Sequence, residues 1–275
     1  MTAAPDPLRT IDTWGERWGV GFAAAAIVGP EGTTAAHGRT EHVVRIASVT
    51  KPLVAMAVLI ATEEGILHLE QPCGPPGSTV RHLLSHAGGW GFSGDRILTA
   101  PGTRRIYSNT GFECLGSALA EASGMSAAEY VRAAVFEPLG MAMTQLRGSP
   151  AKDVYSCVDD LACFARELLR PTLLAPETMA DFTSVQFPAL AGVLPDVARF
   201  DPNPWGLGVE IRGSKQPHWT GRSNSPSTFG HFGGTGTFLW VDPEADVSLV
   251  CLTNLGFGPW ALAAWPALSD AVLSG

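Results

Sequence analysis

The stretch Ser48-Val49-Thr50-Lys51-Pro52-Leu53-Val54-Ala55-Met56-Ala57-Val58-Leu59-Ile60-Ala61 decides how the chain is read. Leu53, Met56, Ala57, Ile60 and Ala61 recur at helical spacing. Pro52 stands where a first turn tolerates a residue without an N–H, and Gly65 marks the approaching end. The spacing predicts a helix opening at Ser48, apolar enough to lie in a core. Ser48 and Lys51 are three apart on it, so hydroxyl and amine project from one face within hydrogen-bond reach. The positive end of a helix favours an oxyanion on the serine and disfavours an ammonium on the lysine, and desolvation pushes the lysine the same way.

Ser-x-x-Lys alone does not settle the matter, because Ser149-Pro150-Ala151-Lys152 has the same spacing. Ser149 sits in a Gly-Ser-Pro turn with no apolar helix behind it and reads as a cap or loop residue. Ser48 taken singly also fits an ordinary helix cap. Two further motifs follow in order: Tyr107-Ser108-Asn109 after Pro101-Gly102-Thr103, and His231-Phe232-Gly233-Gly234 before an apolar strand.

Outward from the serine, Gly21 to Val28, a Gly-Pro-Glu-Gly turn at 29–32 and Thr33 to Gly38 read as a hairpin. From about 78 to 176 the pattern is mostly helical, with segments at 111–122, 127–136 and 158–169. After Pro204 short β-rich runs return at 206–211, 237–241 and 247–253, closed by a helix from Pro259 to Leu273. The expected fold is α/β (α+β): strands from both ends share one antiparallel sheet, with N- and C-terminal helices and an inserted all-helical subdomain. One domain over 1–275 is expected, with a sheet half at about 1–47 and 177–275 and a helical half at about 48–176.

Together, the three motifs resemble those of the serine β-lactamase and penicillin-binding superfamily, in its class C β-lactamase, D-aminopeptidase and family VIII esterase branch. Arg45 to Pro52, Arg81 to His86, Ala100 to Gly111, Glu137 to Met141, Asp160-Leu161 and His231 to Asn254 all look like that branch. The resemblance implies an active site between the two halves. Ser48 would attack a carbonyl, with Lys51 and Tyr107 sharing the removal and return of its proton. It also implies substrate contacts at Asn109, His231, Gly233 and Gly234, with the N–H groups of Ser48 and Gly234 forming an oxyanion hole. No cofactor or metal is implied.

Two departures bear on substrate. Phe232 stands where many relatives carry Thr or Ser, whose hydroxyl helps hold a β-lactam or D-alanyl carboxylate, and phenylalanine makes no such bond. The segment from Met141 to Asp159 is short compared with relatives, which implies a more open pocket. The expected activity is an acyl-enzyme esterase or amidase of small ester or amide substrates. A β-lactamase or D-alanyl peptidase is the alternative, and a ligand-binding protein on the same fold is another. Trp90, Phe92, Trp219 and Phe232 either line an apolar acyl pocket or serve ordinary packing; loops 86–100 and 213–230 are expected to shape it.

Other classes find little support. The net charge of −8 with scattered Lys and Arg lacks the basic stripe of nucleic-acid binders and any polybasic membrane patch. No run of 18 apolar residues spans a membrane, and Met-Thr-Ala-Ala-Pro-Asp-Pro has no leader pattern, so a cytoplasmic protein is expected. Five cysteines without a Cys-x-x-Cys pair suit buried thiols in a reducing compartment. His82 and His86 lack a third ligand at metal spacing and read as structural. Gly-x-Ser-x-Gly is absent.

Overall fold

Alternating side chains along a six-stranded sheet separate two apolar layers in the computed structural model, which describes residues 6–275. Residues 1–5, part of the stretch read for a leader, lie outside the described residues. The chain begins with a 3-10 turn (Pro7–Thr13), α1 (Trp14–Trp18), β1 (Ala23–Gly29), β2 (Gly32–His37) and β3 (Val44–Arg45). Its middle holds α2 (Thr50–Glu63), α3 (Val80–Leu84), α4 (Asn109–Ser123), α5 (Ala127–Val131), β4 (Gln145–Leu146), β5 (Val154–Ser156), α6 (Val158–Leu169) and α7 (Pro176–Thr183). Then come β6 (Gly192–Leu194), β7 (Ala198–Phe200), β8 (Glu210–Ile211), β9 (Phe229–Gly233), β10 (Thr237–Asp242), β11 (Val247–Thr253) and α8 (Pro259–Ser274).

The sheet runs β2-β1-β11-β10-β9-β8 with every neighbouring pair antiparallel, so strands from both ends of the chain share it. Side chains alternate between faces at a period of two. Ala24, Ala26, Val28, Leu239, Val250 and Leu252 join α2, α4 and α6 in one core. Ala25, Phe238, Trp240, Leu249 and Cys251 pack on the other face with the N-terminal turn and α8. Eleven of the 14 residues of α2 are buried, as a helix apolar on all sides requires.

The middle of the chain differs from the expected all-helical insert in three ways. The α-helix starts at Thr50, and Ser48 lies in a 3-10 turn (Ala47–Val49) that precedes it. β4 and β5 pair with β3 in a small sheet of order β3-β5-β4. α6 packs on β1, β10 and β11, so it covers the main sheet; its Val158, Leu161, Ala165 and Leu168 form the apolar stripe that sequence spacing detects without revealing the partner. The expectation of buried thiols holds for Cys157 and Cys251, while Cys73 and Cys114 are half-buried and Cys163 is exposed. No helix among the described residues is long and apolar enough to cross a membrane.

At the β8 edge a buried ionic cluster secures the loop that follows. Glu210 accepts from Lys215 Nζ, from His218 Nε2 at 3.0 Å and from Trp219 Nε1 at 3.1 Å. Lys215 also donates to the carbonyls of Pro204 (3.0 Å) and Ile211 (2.6 Å). Burial alone would raise the Glu210 carboxyl, yet His218 and Lys215 hold it well below the ordinary range. Glu210→Gln should cost about 3 kcal/mol of stability, because it strands Lys215 without its counter-charge. Urea titration of both proteins checks this; a loss under 1 kcal/mol would contradict a structural role for the pair.

Candidate active site

Ser48 is presented by a turn that its surroundings force. Ala47 before it takes φ +46°, a left-handed conformation that costs a non-glycine residue about 1–3 kcal/mol unless contacts fix it. Three hydrogen bonds do so: Thr237 Oγ1 donates to the Ile46 carbonyl (2.8 Å), Thr235 Oγ1 to the Arg45 carbonyl (2.8 Å), and Ile46 N–H to the Val154 carbonyl (3.0 Å). Gly233, the last residue of β9, lies so close that a Cβ there would stand 2.3 Å from the Ile46 carbonyl oxygen. Only glycine lets β9 reach the serine turn.

Lys51 is wholly buried on the first turn of α2. Its Nζ lies 3.4 Å from Ser48 Oγ, 2.8 Å from Asn109 Oδ1 and 2.9 Å from the Ala151 carbonyl oxygen. Among the described residues no carboxylate forms an ion pair with it. Burial drives the amine well below the ordinary lysine range; Glu113 pulls weakly the other way and Lys152 adds to the lowering. Asn109 opens α4, and its own N–H donates to the Phe92 carbonyl at 2.8 Å. Ser108 caps that helix, accepting from Gly111 N–H (3.1 Å) and donating to the Gly91 carbonyl (2.7 Å).

Tyr107 and His231 complete the cluster. Burial pushes the Tyr107 phenol up, and a hydrogen bond with Ser48 offsets part of that. Its hydroxyl lies 3.4 Å from His231 Nε2. His231 Nδ1 is 2.7 Å from the Phe232 carbonyl, an acceptor only, so Nδ1 carries the proton and Nε2 is left to accept from Tyr107. Burial, with Lys51 nearby, lowers His231 to about 3, which makes it neutral at ordinary pH. Both histidines read as structural have packing partners. His86 stacks 4.4 Å from the Tyr107 ring and accepts from Ser108 N–H, and His82 stacks on Phe187 and bonds Thr79.

A small cavity of about 90 Å³ opens beside the serine. Ser48, Tyr107, Asp196, His231 and Gly234 form its polar side, and Phe92, Leu194, Pro195 and Phe232 its apolar side. Of the four aromatic residues weighed for this wall, Phe92 and Phe232 line it. Trp219 is buried behind Phe232, and Trp90 packs against the α2-side core. Loop 86–100 contributes through Phe92, whereas the segment 213–230 supplies none of the lining. In its place stands the Leu194-Pro195-Asp196 turn between β6 and β7.

The arrangement brings all seven sequence-chosen residues, Ser48, Lys51, Tyr107, Asn109, His231, Gly233 and Gly234, to one place. A family model described as Beta-lactamase matches residues 12–273. The chain belongs to the Beta-lactamase family. The structure of a beta-lactamase from Mycobacterium bovis superposes with a TM-score of 0.94 at 53% identity, covering 96% of this chain and 98% of that one. EstCE1, described as a hydrolase with promiscuous acyltransferase activity, shares the fold with a TM-score of 0.81 at 18% identity over 97% of both chains. Penicillin-binding protein 4* of Bacillus subtilis is 30% identical over 141 residues, 39% of this chain and 31% of that protein. The chain thus matches about a third of the length of that curated relative.

This Beta-lactamase-family site depends on residues that sequence reasoning missed. Ala151 lies inside the second Ser-x-x-Lys motif, the one set aside as a turn. Ser149 Oγ indeed accepts from Ala151 N–H (3.2 Å), and the turn thereby aims the Ala151 carbonyl at Lys51. Thr237 was visible only as the first residue of a β-rich run, and Thr235 only within the His231 to Asn254 resemblance.

The buried neutral His231 also predicts acid sensitivity. Its folded pKa lies below the unfolded value of about 6.5, so its stabilising contribution is complete above that pH and is lost as pH falls towards 3. Between about pH 6 and 4, His231→Gln should flatten the fall of unfolding free energy by about 1.4 kcal/mol per pH unit. Denaturant titrations at stepped pH measure that slope, and equal slopes would mean that His231 titrates alike in folded and unfolded chains.

Proposed function

We propose that the chain is a serine hydrolase that forms an acyl-enzyme on Ser48, acting on small esters or amides with short apolar acyl groups. The observation that carries this reading is the bonding of Lys51. A neutral amine has two N–H groups, and Asn109 Oδ1 and the Ala151 carbonyl accept both. Its lone pair then faces Ser48 Oγ at 3.4 Å, where a general base must lie. Tyr107 is a neutral phenol at working pH, so its part is to hand a proton to the leaving group and to take it back from Lys51 through the serine oxygen. The N–H groups of Ser48 and Gly234, both beside the cavity, receive the oxyanion. Water entering where the leaving group departed repeats the sequence in reverse and frees Ser48.

Cavity size favours a short acyl group. An apolar cavity of about 150 Å³ holds benzene, and this one is smaller. Phe232 offers no hydroxyl for a substrate carboxylate, which favours a neutral ester. The 53% identical protein described as a beta-lactamase favours the second reading, a lactam substrate.

Initial rates with p-nitrophenyl butyrate and a chromogenic cephalosporin, for wild type and Ser48→Ala, separate these readings. Ester turnover that vanishes in the variant, with little cephalosporin cleavage, is expected. Rapid Ser48-dependent cephalosporin cleavage would move the assignment to lactams, and no Ser48-dependent turnover would leave a binding protein. Lys51→Met should lower ester kcat/KM by about 10²–10⁴-fold. Activity should also fall when p-nitrophenyl octanoate replaces the butyrate; equal rates would show that the acyl group lies outside the cavity.

A further inference from the structure

Away from the serine, two thiols meet between the α2–α3 loop and α4. Cys73 lies in the loop between α2 and α3, and Cys114 on the sixth residue of α4; their sulfurs are 3.6 Å apart. Neither is sealed off, since both are half-buried, unlike Cys157 and Cys251. Each end is held in place. The Cys73 N–H donates to the Ser78 carbonyl at 3.0 Å, Pro72 and Thr79 pair across the same loop, and Cys114 is fixed by helix geometry.

We infer that Cys73 and Cys114 form a reversible redox pair that closes to a disulfide when a peroxide or a small disulfide reaches it. Either sulfur could donate in their contact. The Gly74 N–H lowers the Cys114 thiol, which favours Cys114 as the attacking sulfur. With a peroxide, the Cys114 thiolate attacks one oxygen, breaks the O–O bond and becomes a sulfenic acid. The Cys73 sulfur, losing its proton, then displaces the hydroxyl as water and forms the S–S bond. Overall two thiols are oxidised and the peroxide is reduced to an alcohol or water plus water. With a small disulfide, the step is two thiol exchanges that release two small thiols.

The position of the pair gives the bond a consequence. Cys73 and Cys114 are 41 residues apart in sequence, and the segment they bracket carries Phe92, Tyr107 and Asn109. Its loop also packs on Trp90, two residues before Phe92, since a Cβ on Gly74 would stand 3.0 Å from that ring. Closing the pair therefore staples the part of the chain that supplies one side of the cavity and the Lys51 acceptor. A cross-link over this span restricts the unfolded chain and should raise Tm by about 5–10 °C. The pairing stands independently of the proposed activity.

The intact protein is treated with hydrogen peroxide or with glutathione disulfide, then blocked, digested without reduction and mapped by mass spectrometry. A Cys73–Cys114 linked peptide is expected, with two of the five thiols lost to titration, a higher Tm, and full reversal by dithiothreitol. Cys73→Ser and Cys114→Ser should each abolish the linked peptide and the rise in Tm. The inference is overturned if Cys73 and Cys114 stay alkylatable after oxidation, or if the oxidant reacts only at exposed Cys163. It is equally overturned if the linked peptide forms with no change in Tm. The wild-type map decides the first point even if a serine variant folds poorly.

Discussion

An amine buried without a carboxylate is the constraint on which the site rests. Charging Lys51 in place would require a desolvated ammonium with only neutral acceptors around it, so the fold favours the free base. That state is useful only if the nitrogen keeps its lone pair for one target. Two acceptors from separate elements, the first turn of α4 and the turn before β5, fix where the N–H groups point. Moving either element would shift the amine relative to Ser48.

The serine is constrained from the opposite side. Ala47 holds its unfavourable φ because the β9–β10 hairpin supplies Thr235 and Thr237 to the carbonyls that precede it, and because Gly233 permits the contact. Local strain is thus sustained by tertiary hydrogen bonds, as expected where geometry serves chemistry. Ser48 belongs to the sheet through these bonds and to α2 through its chain direction. Its position reports the docking of the two layers.

Sequence periodicity and motif order made much of this legible. α2 was readable because its apolar run leaves no polar face, and β10 and β11 because they are apolar on both faces of a covered sheet. Ser48, Lys51, Tyr107, Asn109 and His231 carry distinctive side chains, and the structure places them together. Ala151 acts through a backbone carbonyl, which every residue possesses, so no residue type betrays it. α6 showed its stripe but not its partner, and it was grouped with the helices near it in sequence. β4 and β5, two and three residues long, are too short for alternation to register. Leu194 and Pro195 reach the cavity only because a hairpin far along the chain folds over it.

The strand β9 shows how neighbouring positions serve both the cavity and the core. Its residues alternate, so His231 faces Tyr107 and Lys51 while Phe232 turns to Trp219, Phe257 and Trp265 under α8. Register is fixed by Phe232 opposite Phe238 and Gly233 opposite Thr237 on β10. A slip of one residue would place an aromatic ring against the buried amine and an imidazole in the tryptophan-rich layer, losing both packing and polar partners. Phe232 nevertheless keeps an edge on the cavity. A hydroxyl at that position would face the cavity only by withdrawing a ring from the α8 core. Cavity lining and sheet packing are therefore coupled at this residue, and a change of one entails repacking the other.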